Sequence, residues 1–383
     1  MNKYDVAVVG SGPGGAASAY ILSASGMKVA LIDRCVFPRN KLCGGLLSGR
    51  AKTAFESIFD EAWGPAIESE MCGARFFGSE GLLNSIDNSY PLYLTSRKTF
   101  DSYLLELASK KGPKVFHGVA VTSIDRNRVN FRDGTSFTSD FIIGADGATS
   151  RVRTCLFPDS FHKEDYALCF QSEIPRSELR ETKPLPEIYF GFVRWGYAWV
   201  FPKGETLSIG IGGSLSKNRN MKNLFTRFFR HVTGRGPESI RGCYTPLGNY
   251  SKKPGIGNAL LVGDAAGLVD PITGEGIAFA LMSGKFAAQS ILKAANSGIP
   301  HMAYDFYKPS YRSITRFFSP AKMLRHFLYP SYPQARLIRA LPRATEIVES
   351  YLGLIAGRMN YYEFARIAFG KTVRDLFNRT GRQ

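Results

Sequence analysis

The chain is poor in residues that hold metal ions or build disulfide frameworks. Among its 383 residues are five histidines, which stand in no recognisable motif, and six cysteines without a Cys-x-x-Cys pair. The cysteines occupy positions 35, 43, 72, 155, 169 and 243. This pattern predicts reduced thiols in a cytoplasmic protein and no metal site.

Long uninterrupted apolar runs and internal repeats are also absent. The first apolar run is a short strand-like segment, and the longest apolar region, residues 258–282, is interrupted by two aspartates, a proline and a glutamate. We therefore expect neither a secretory signal nor a transmembrane helix. The length allows two or three domains, and a hydrophobic content of 44% suits a soluble globular protein.

Acidic residues are scarce, with 32 Asp and Glu against 49 Lys and Arg, which gives a net charge of +17. Residues 300–383 hold 14 of the cations but only 5 acidic residues, interleaved with aromatic pairs. The prolines at 320, 330, 333 and 342 predict several separate helices there. Such basic, aromatic helices suit the inner face of an anionic membrane, or alternatively form a solvated basic face. Nucleic-acid binding is not predicted, because none of its motifs is present.

The N-terminal segment has the pattern of a dinucleotide-binding unit. A β-branched strand over Asp5–Val9 leads into Gly10-Ser11-Gly12-Pro13-Gly14-Gly15, a helical segment, a second strand and then Asp33-Arg34. Gly10 allows the tight turn, Gly12 lets the backbone approach a pyrophosphate, and Gly15 lets helix and strand pack closely. The following helix presents its N-terminal amides to phosphate, and Asp33 can accept from a ribose hydroxyl.

Two later strand–turn segments indicate FAD rather than NAD as the resident cofactor. One is the strand ending at Gly144 with Asp146 in the turn, and the other runs from Ala259 through Gly263-Asp264 to Gly274-Glu275-Gly276. Asp264 stands where it can hold the ribityl chain, and the helix after Gly276 can stabilise negative charge at the flavin N1/O2 edge. Together the three turns resemble the FAD-binding pattern of the para-hydroxybenzoate hydroxylase superfamily.

Three further segments narrow the resemblance. Pro38 to Gly45, with its Lys-Leu-Cys-Gly-Gly ending, resembles a motif of the geranylgeranyl reductase family. Tyr197-Ala198-Trp199-Val200-Phe201-Pro202 and Arg97 to Asp101 resemble two more of its signatures. The flavin halogenases have different residues in the first two segments. The resemblance implies FAD-dependent reduction of carbon–carbon double bonds in prenyl chains, with Arg97 on the adenine side of the cofactor.

The candidate catalytic residues are Cys43, Tyr197 and Trp199. Cys43 has three interpretations: a proton donor or relay near the flavin, a residue that shapes the pocket, or an ordinary buried thiol. Lys41 would lower the pKa of this thiol if the two residues lie close. Tyr197 and Trp199 alternate along a strand and therefore point to one side, where their rings either stabilise developing positive charge or pack in the core. With Phe201 and Pro202 they are the predicted substrate-binding residues.

The predicted cofactor-binding residues come from the three turns and from the Cys43 segment. Gly44 and Gly45 join it because they let the backbone approach the isoalloxazine. The predicted residues are Gly10, Gly12, Pro13, Gly14, Gly15, Asp33, Arg34, Cys43, Gly44, Gly45, Arg97, Asp146, Gly263, Asp264, Gly274, Glu275 and Gly276. Only one dinucleotide motif is present, so electrons are expected from transiently bound NAD(P)H or from a small electron carrier.

The predicted fold is α/β: a Rossmann-type, glutathione-reductase-like FAD-binding domain with an antiparallel-sheet substrate domain and a C-terminal helical region. The FAD-binding domain is discontinuous over 1–60, 97–158 and 256–300, the substrate domain takes 61–96 and 159–255, and 301–383 form the basic helical region. An isoprenoid lipid is the expected substrate. Two alternatives remain open: a flavin monooxygenase or halogenase, and a flavin protein that transfers electrons to quinones or regulates lipid metabolism at a membrane.

Overall fold

A mostly parallel sheet forms the first layer of the molecule. The computed structural model describes residues 2–160, 162–179, 185–329, 341–368 and 370. Strands and helices are numbered along the whole chain. The strands of the first sheet are β1 (Lys3–Val9), β2 (Val29–Asp33), β6 (Lys114–His117), β7 (Val121–Asp125), β8 (Arg128–Phe131), β9 (Ser136–Gly144), β15 (Gly255–Ile256) and β16 (Ala259–Leu261).

The order β15-β16-β9-β1-β2-β6 puts the first strand near the centre, and β16, β9, β1, β2 and β6 run parallel to one another. Val6 to Val9 are buried, as a strand covered on both faces requires. The carboxyl ends of β1, β9 and β16 therefore meet at one edge, where the three predicted cofactor turns follow them.

The described helices cover this sheet and close the molecule. They are α1 (Pro13–Ala24), α2 (Gly49–Glu56), α3 (Arg97–Ser109), α4 (Arg151–Leu156), α5 (Met221–Thr233), α6 (Ile277–Asn296), α7 (Ala303–Leu328) and α8 (Thr345–Ile355), and residues 361–368 are also helical. The α1–α6 contact depends on glycine, because a Cβ on Gly284 would lie 2.3 Å from the Gly14 carbonyl oxygen. The Ser18 hydroxyl bonds the carbonyls of both glycines across this contact.

A second sheet stands over the carboxyl edge of the first. Its strands are β3 (Leu46–Leu47), β4 (Ser69–Gly78), β5 (Gly81–Leu94), β10 (Ala167–Pro175), β11 (Glu187–Tyr189), β12 (Gly196–Lys203), β13 (Thr206–Ser214) and β14 (Arg241–Thr245). The order is β14-β10-β13-β12-β11-β4-β5-β3, antiparallel except between β11 and β4. Residues 61–96 and 159–255 thus contribute to one sheet. β11 ends at Tyr189, close to Gly191, which has a φ of 90°.

The C-terminal region departs from the prediction that each proline would break a helix. α7 continues through Pro309 and Pro320 for 26 residues. Its buried face, which includes Tyr311, Ile314 and Phe318, packs into the main core and outweighs the local cost of a proline. Pro342 does lie at a boundary, in the short turn before α8. Pro330 and Pro333 lie outside the described residues.

The predicted α/β fold is confirmed: a Rossmann-type layer, a second β-sheet and a helical C-terminal region are all present. The part of the chain that the structure describes includes no helix that is both long and apolar enough to span a bilayer.

Candidate functional site

One cavity of about 510 Å³ lies between the two sheets. Its walls come from the carboxyl edge of the parallel sheet, from the Cys43 loop and from one face of the second sheet. Seventeen residues of the predicted site line it: Gly12, Pro13, Gly14, Arg34, Cys43, Gly44, Gly45, Arg97, Asp146, Tyr197, Trp199, Phe201, Gly263, Asp264, Gly274, Glu275 and Gly276. The volume falls in the range of small-molecule sites in proteins.

Gly10, Gly15 and Asp33 stand behind the cavity wall and shape the first turn. Gly10 has a φ of 103°, and a Cβ on Gly15 would lie 1.8 Å from the Gly10 carbonyl oxygen. The buried Asp33 carboxylate accepts hydrogen bonds from the backbone N–H groups of Ser11 (2.8 Å) and Cys35 (2.9 Å). Asp33 thus orders the glycine turn, and its bond to a ribose hydroxyl stays a prediction.

Two guanidinium groups converge on Gly12, the residue that caps α1. A Cβ on Gly12 would lie 3.8 Å from an Arg39 terminal nitrogen and 3.9 Å from one of Arg97. Arg97 is buried and bonds Asp101 through two 2.7 Å contacts, and Arg39 reaches the same carboxylate at 3.0 Å. Burial opposes the charge of Arg97, but Asp101 outweighs it and raises the pKa of Arg97. Arg39 also lies 3.9 Å from the Asp33 carboxylate. The two guanidinium groups stand close to Gly12 beside a helix N-terminus, which suits a pyrophosphate.

The carboxylates of the second and third turns have different surroundings. Asp146 accepts from the Ser150 hydroxyl and from the backbone N–H groups of Arg151 (2.6 Å) and Val152 (3.1 Å), so it caps α4. Burial raises the pKa of Asp146 against these hydrogen bonds. Asp264 instead faces the Lys41 ammonium at 3.9 Å. Lys41 thus pairs with a carboxylate that lines the same cavity.

The loop of residues 270–276 is held from both ends. The Asp270 carboxylate accepts from the backbone N–H groups of Ile272 (2.8 Å) and Thr273 (2.9 Å) and from the Tyr361 hydroxyl (2.6 Å). Glu275 is bonded by Arg50 at 2.6 Å and by the hydroxyl of Ser48. Burial raises the pKa of the Glu275 carboxyl group, and the opposing effects of Arg50 and Ser48 offset this rise only in part.

The Cys43 loop is pressed against the second sheet. Gly45 has a φ of 84°, and a Cβ there would lie 2.1 Å from the Thr95 carbonyl oxygen. A Cβ on Gly44 would lie 3.0 Å from the Phe201 ring. Lys203, only 2% exposed, donates to the Cys43 carbonyl at 3.2 Å and pairs with Glu173 at 2.8 Å. The loop backbone is thus fixed while the Cys43 thiol lines the cavity.

Alternate residues of β12 form an aromatic wall. The ring centroids of Tyr197 and Trp199 are 6.1 Å apart, and those of Trp199 and Phe201 are 6.2 Å apart. All three rings line the cavity, as the alternation predicted. Pro202 is buried with the opposite set of side chains and does not line the cavity, so its contact with a substrate stays a prediction. The Tyr197 hydroxyl donates to the Thr273 carbonyl oxygen at 2.5 Å, and burial raises its pKa.

Sequence reasoning missed several residues of this site. Arg39 and Lys203 lie within or next to the quoted motifs, and their basic character beside glycine or proline was the available signal. The tyrosine and isoleucine that α8 contributes to the far wall, Tyr351 and Ile355, carry no such signal.

The residues present fit FAD on two observations. The paired guanidinium groups at Gly12 supply an anion site, and the glycines at positions 44 and 274 bring backbone to the cavity without a side chain in between. No group of three or more His, Cys, Asp or Glu within the described ranges is arranged to hold a metal ion.

Comparison with known proteins gives the same cofactor. A model of the FAD binding domain matches residues 3–172. The chain is 32% identical over 314 residues to the geranylgeranyl diphosphate reductase of Rhodobacter capsulatus, covering 78% of this chain and 77% of that protein. It is 31% identical over 306 residues to an uncharacterized protein of Methanosarcina barkeri, with 78% and 77% covered. It is 30% identical over 317 residues to the menaquinone reductase of Mycobacterium tuberculosis, with 74% and 76% covered.

Solved structures show the same fold. A geranylgeranyl bacteriochlorophyll reductase-like protein of Thermoplasma acidophilum superposes with a TM-score of 0.75 at 24% identity, covering 99% of both chains. The halogenase PltM superposes with a TM-score of 0.69 at 16% identity, covering 95% of this chain and 85% of that one. The fold is therefore shared with halogenases, whereas the sequence relatives distinguish the family. The chain belongs to the geranylgeranyl reductase family of FAD-dependent oxidoreductases, and its cofactor is FAD.

Proposed function

We propose that the chain reduces carbon–carbon double bonds in the prenyl chain of a lipid or lipid-linked isoprenoid. One observation carries this proposal: the anion-binding turn at Gly12 and the aromatic wall of β12 line the same cavity. A cofactor bound at the Gly12 turn and a long apolar chain lying along the aromatic wall would therefore share one cavity. The relatives named as geranylgeranyl diphosphate reductases support this substrate class.

The reaction itself requires more than a hydride. Reduced FAD supplies the hydride when it is bound. A prenyl alkene has no carbonyl group to accept electron density, so a proton must add to one carbon as the hydride adds to the other. Positive charge then builds at the more substituted carbon. The protein must therefore hold a proton source near the double bond, exclude water and tolerate a cationic centre.

Cys43 is our candidate for the proton source. Its sulfur accepts a hydrogen bond from the Gly45 backbone N–H at 3.4 Å, which leaves the S–H proton available to a bound alkene. Tyr197 is less suited to this role, because its hydroxyl already donates to Thr273 and burial raises its pKa. The loop contacts of Lys203 hold the thiol in place. Cys43 therefore combines access to the cavity with a proton that no observed hydrogen bond uses.

The rings of Tyr197 and Trp199 are our candidates for stabilising the positive charge. A cation over an aromatic face gains about 2 kcal/mol or more in a dry site. The indole N–H of Trp199 donates to the Ser208 hydroxyl at 3.2 Å, which fixes the orientation of the ring. Electrons reach the flavin from NAD(P)H that binds transiently or from a small electron carrier, since the chain has one dinucleotide motif.

An anaerobic assay tests the proposal. Purified FAD-loaded protein, dithionite as reductant and a panel of prenyl lipids are incubated together, and lipid masses are followed. We expect mass gains in steps of two hydrogens, with no oxygen requirement. Unchanged lipid masses across the panel would contradict the proposal, and product formation that depends on oxygen would favour a monooxygenase or halogenase.

A second candidate is electron transfer to a quinone, which the menaquinone reductase relative favours. The same reduced protein is mixed with a menaquinone, and ring reduction is followed optically while side-chain saturation is followed by mass. Rapid ring reduction with an unsaturated side chain would establish this alternative. Side-chain saturation would support the prenyl reductase.

A further inference from the structure

Two cysteines outside the recognised motifs face each other across neighbouring strands. In the antiparallel pair β10–β14, Cys169 stands directly opposite Cys243. Both side chains line the cavity, so they point to the same face of the sheet. Both are reduced and partly exposed. They are the sole directly opposed cysteine pair in the described strand registers.

The backbone geometry suits a disulfide. Directly opposed residues of an antiparallel pair have Cα atoms about 4.5–5.5 Å apart. Disulfides form when this separation is roughly 4.4–6.8 Å. The strands need no relative shift for the bond to form. The Cys169 Sγ lies on the side of Gly212 on β13, where a Cβ would be 2.9 Å from it, so bond formation needs a rotation of the Cys169 side chain toward β14.

The electrostatic surroundings prepare one sulfur of the pair for attack. The neighbouring Cys169 thiol and, to a lesser degree, the positive charge of Lys41 lower the pKa of Cys243. The Cys243 thiol, together with burial, raises the pKa of Cys169. Thiolate character therefore concentrates on Cys243, and thiolates are the attacking species in disulfide exchange.

We propose that Cys169 and Cys243 form a reversible disulfide in the cavity wall by exchange with low-molecular-weight disulfides. The Cys243 thiolate attacks one sulfur of such a disulfide, forms a mixed disulfide and releases one small thiolate. Cys169 loses its proton to solvent and attacks the Cys243 sulfur, which forms the Cys169–Cys243 bond and releases the second small thiolate. The protein loses two protons and two electrons, and the small disulfide is reduced to two thiols. This site is independent of the proposed prenyl reduction.

Thiol counting on the FAD-loaded protein tests the proposal. The reduced protein has six thiols. After incubation with glutathione disulfide and removal of excess reagent, we expect two fewer, with a peptide pair joined through Cys169 and Cys243 and full recovery in dithiothreitol. Cys243→Ser should lose no thiols to an internal bond, and Cys169→Ser should stop at a mixed disulfide on Cys243. Cys72→Ser, which alters an exposed thiol, should still form the bond.

Two results would overturn the proposal. One is a protein that keeps all six thiols under conditions that oxidise the urea-unfolded chain. The other is a disulfide that involves Cys43, or glutathione adducts without closure, in the wild-type protein. Because every readout is a thiol count or a peptide mass, the result does not depend on which lipid the protein reduces.

Discussion

At the residue scale, Cys43 differs from the other cysteines because hydrogen bonds fix both its backbone and its sulfur at the cavity wall. Its carbonyl is bonded to Lys203 and its sulfur to the Gly45 N–H, so the side chain cannot easily turn from the cavity. If this thiol supplies the proton, Cys43→Ala should lower alkene reduction by at least about 100-fold, as expected for the loss of a general acid. FAD content should remain unchanged, because the predicted cofactor contacts are mainly those of glycine and arginine residues. Single-turnover reduction of a prenyl lipid, with FAD absorbance measured in parallel, checks both expectations.

Cys35→Ala is the matched control for that change. Cys35 lies eight residues before Cys43 on the same connection but does not line the cavity. The control should reduce the lipid at the wild-type rate. Wild-type turnover in Cys43→Ala would show that the thiol only packs against its neighbours, and loss of FAD in that variant would assign it to cofactor binding instead.

The individual residues also show what sequence reasoning could reach. The roles of Gly10 and Gly15 followed from the turn that the motif requires, and the φ of Gly10 and the Gly15–Gly10 contact agree with them. Arg39 was within a quoted motif, but its role depends on Asp101, which lies 62 positions later on α3. The Cys169–Cys243 pair depends on a strand register. Both contacts join residues that are far apart in the sequence, so the local spacing of residue types does not predict them.

At the element scale, the C-terminal helices secure the loop that borders the cofactor end of the cavity. Tyr361 bonds Asp270, and Tyr329 donates to the Ile272 carbonyl oxygen at 2.9 Å. Tyr361→Phe removes one hydrogen bond to a buried carboxylate and should cost about 1–3 kcal/mol in the free energy of unfolding. It should also weaken FAD binding, because the 270–276 loop loses an anchor. Urea unfolding and FAD titration by fluorescence measure the two effects.

Tyr362→Phe is the adjacent control. Tyr362 is 71% exposed, so removing its hydroxyl should leave the unfolding free energy and the FAD affinity unchanged. Equal effects of the two changes would show that the Tyr361 hydroxyl bond contributes nothing specific. A loss of stability without weaker FAD binding would separate the helix anchor from the cofactor loop.

The elements themselves were predictable where one local rule dominates. The glycine turn, α1 and the strands beside it follow from apolar runs bounded by glycine. The prediction of a helix end at Pro320 was wrong, because α7 is held together by the packing of Ile314 and Phe318 in the core, which the local sequence does not show. The joining of residues 61–96 with 159–255 through β4 and β11 is a long-range parallel pairing, which local pattern does not reveal.

At the scale of the whole molecule, the surplus of positive charge is arranged around helices whose aromatic side chains mostly face inward. Phe318 and Phe364 are buried, so these rings are not available to a membrane. Arg312, Arg316 and Arg366 remain exposed, and Met323 is 63% exposed on α7. Within residues 303–329 and 341–368, the surface is thus basic with few exposed apolar groups, and a membrane contact there would be mainly electrostatic.

We therefore expect binding to anionic vesicles that weakens with salt, since exposed charges are screened over about 8–10 Å at 0.1–0.15 M ionic strength. Sedimentation with phosphatidylserine-containing vesicles and with neutral phosphatidylcholine vesicles measures this binding.

Changing Arg312 and Arg316 on α7 to Glu should lower binding to anionic vesicles by roughly tenfold or more, because each basic residue near such a surface contributes about 1 kcal/mol. Changing Arg227 and Arg230 on α5 to Glu alters the net charge equally on another element and should have a smaller effect. Equal losses in both variants would show that overall charge, and not the C-terminal surface, attracts the vesicle, and no binding at low salt would leave the basic face as a solvated surface.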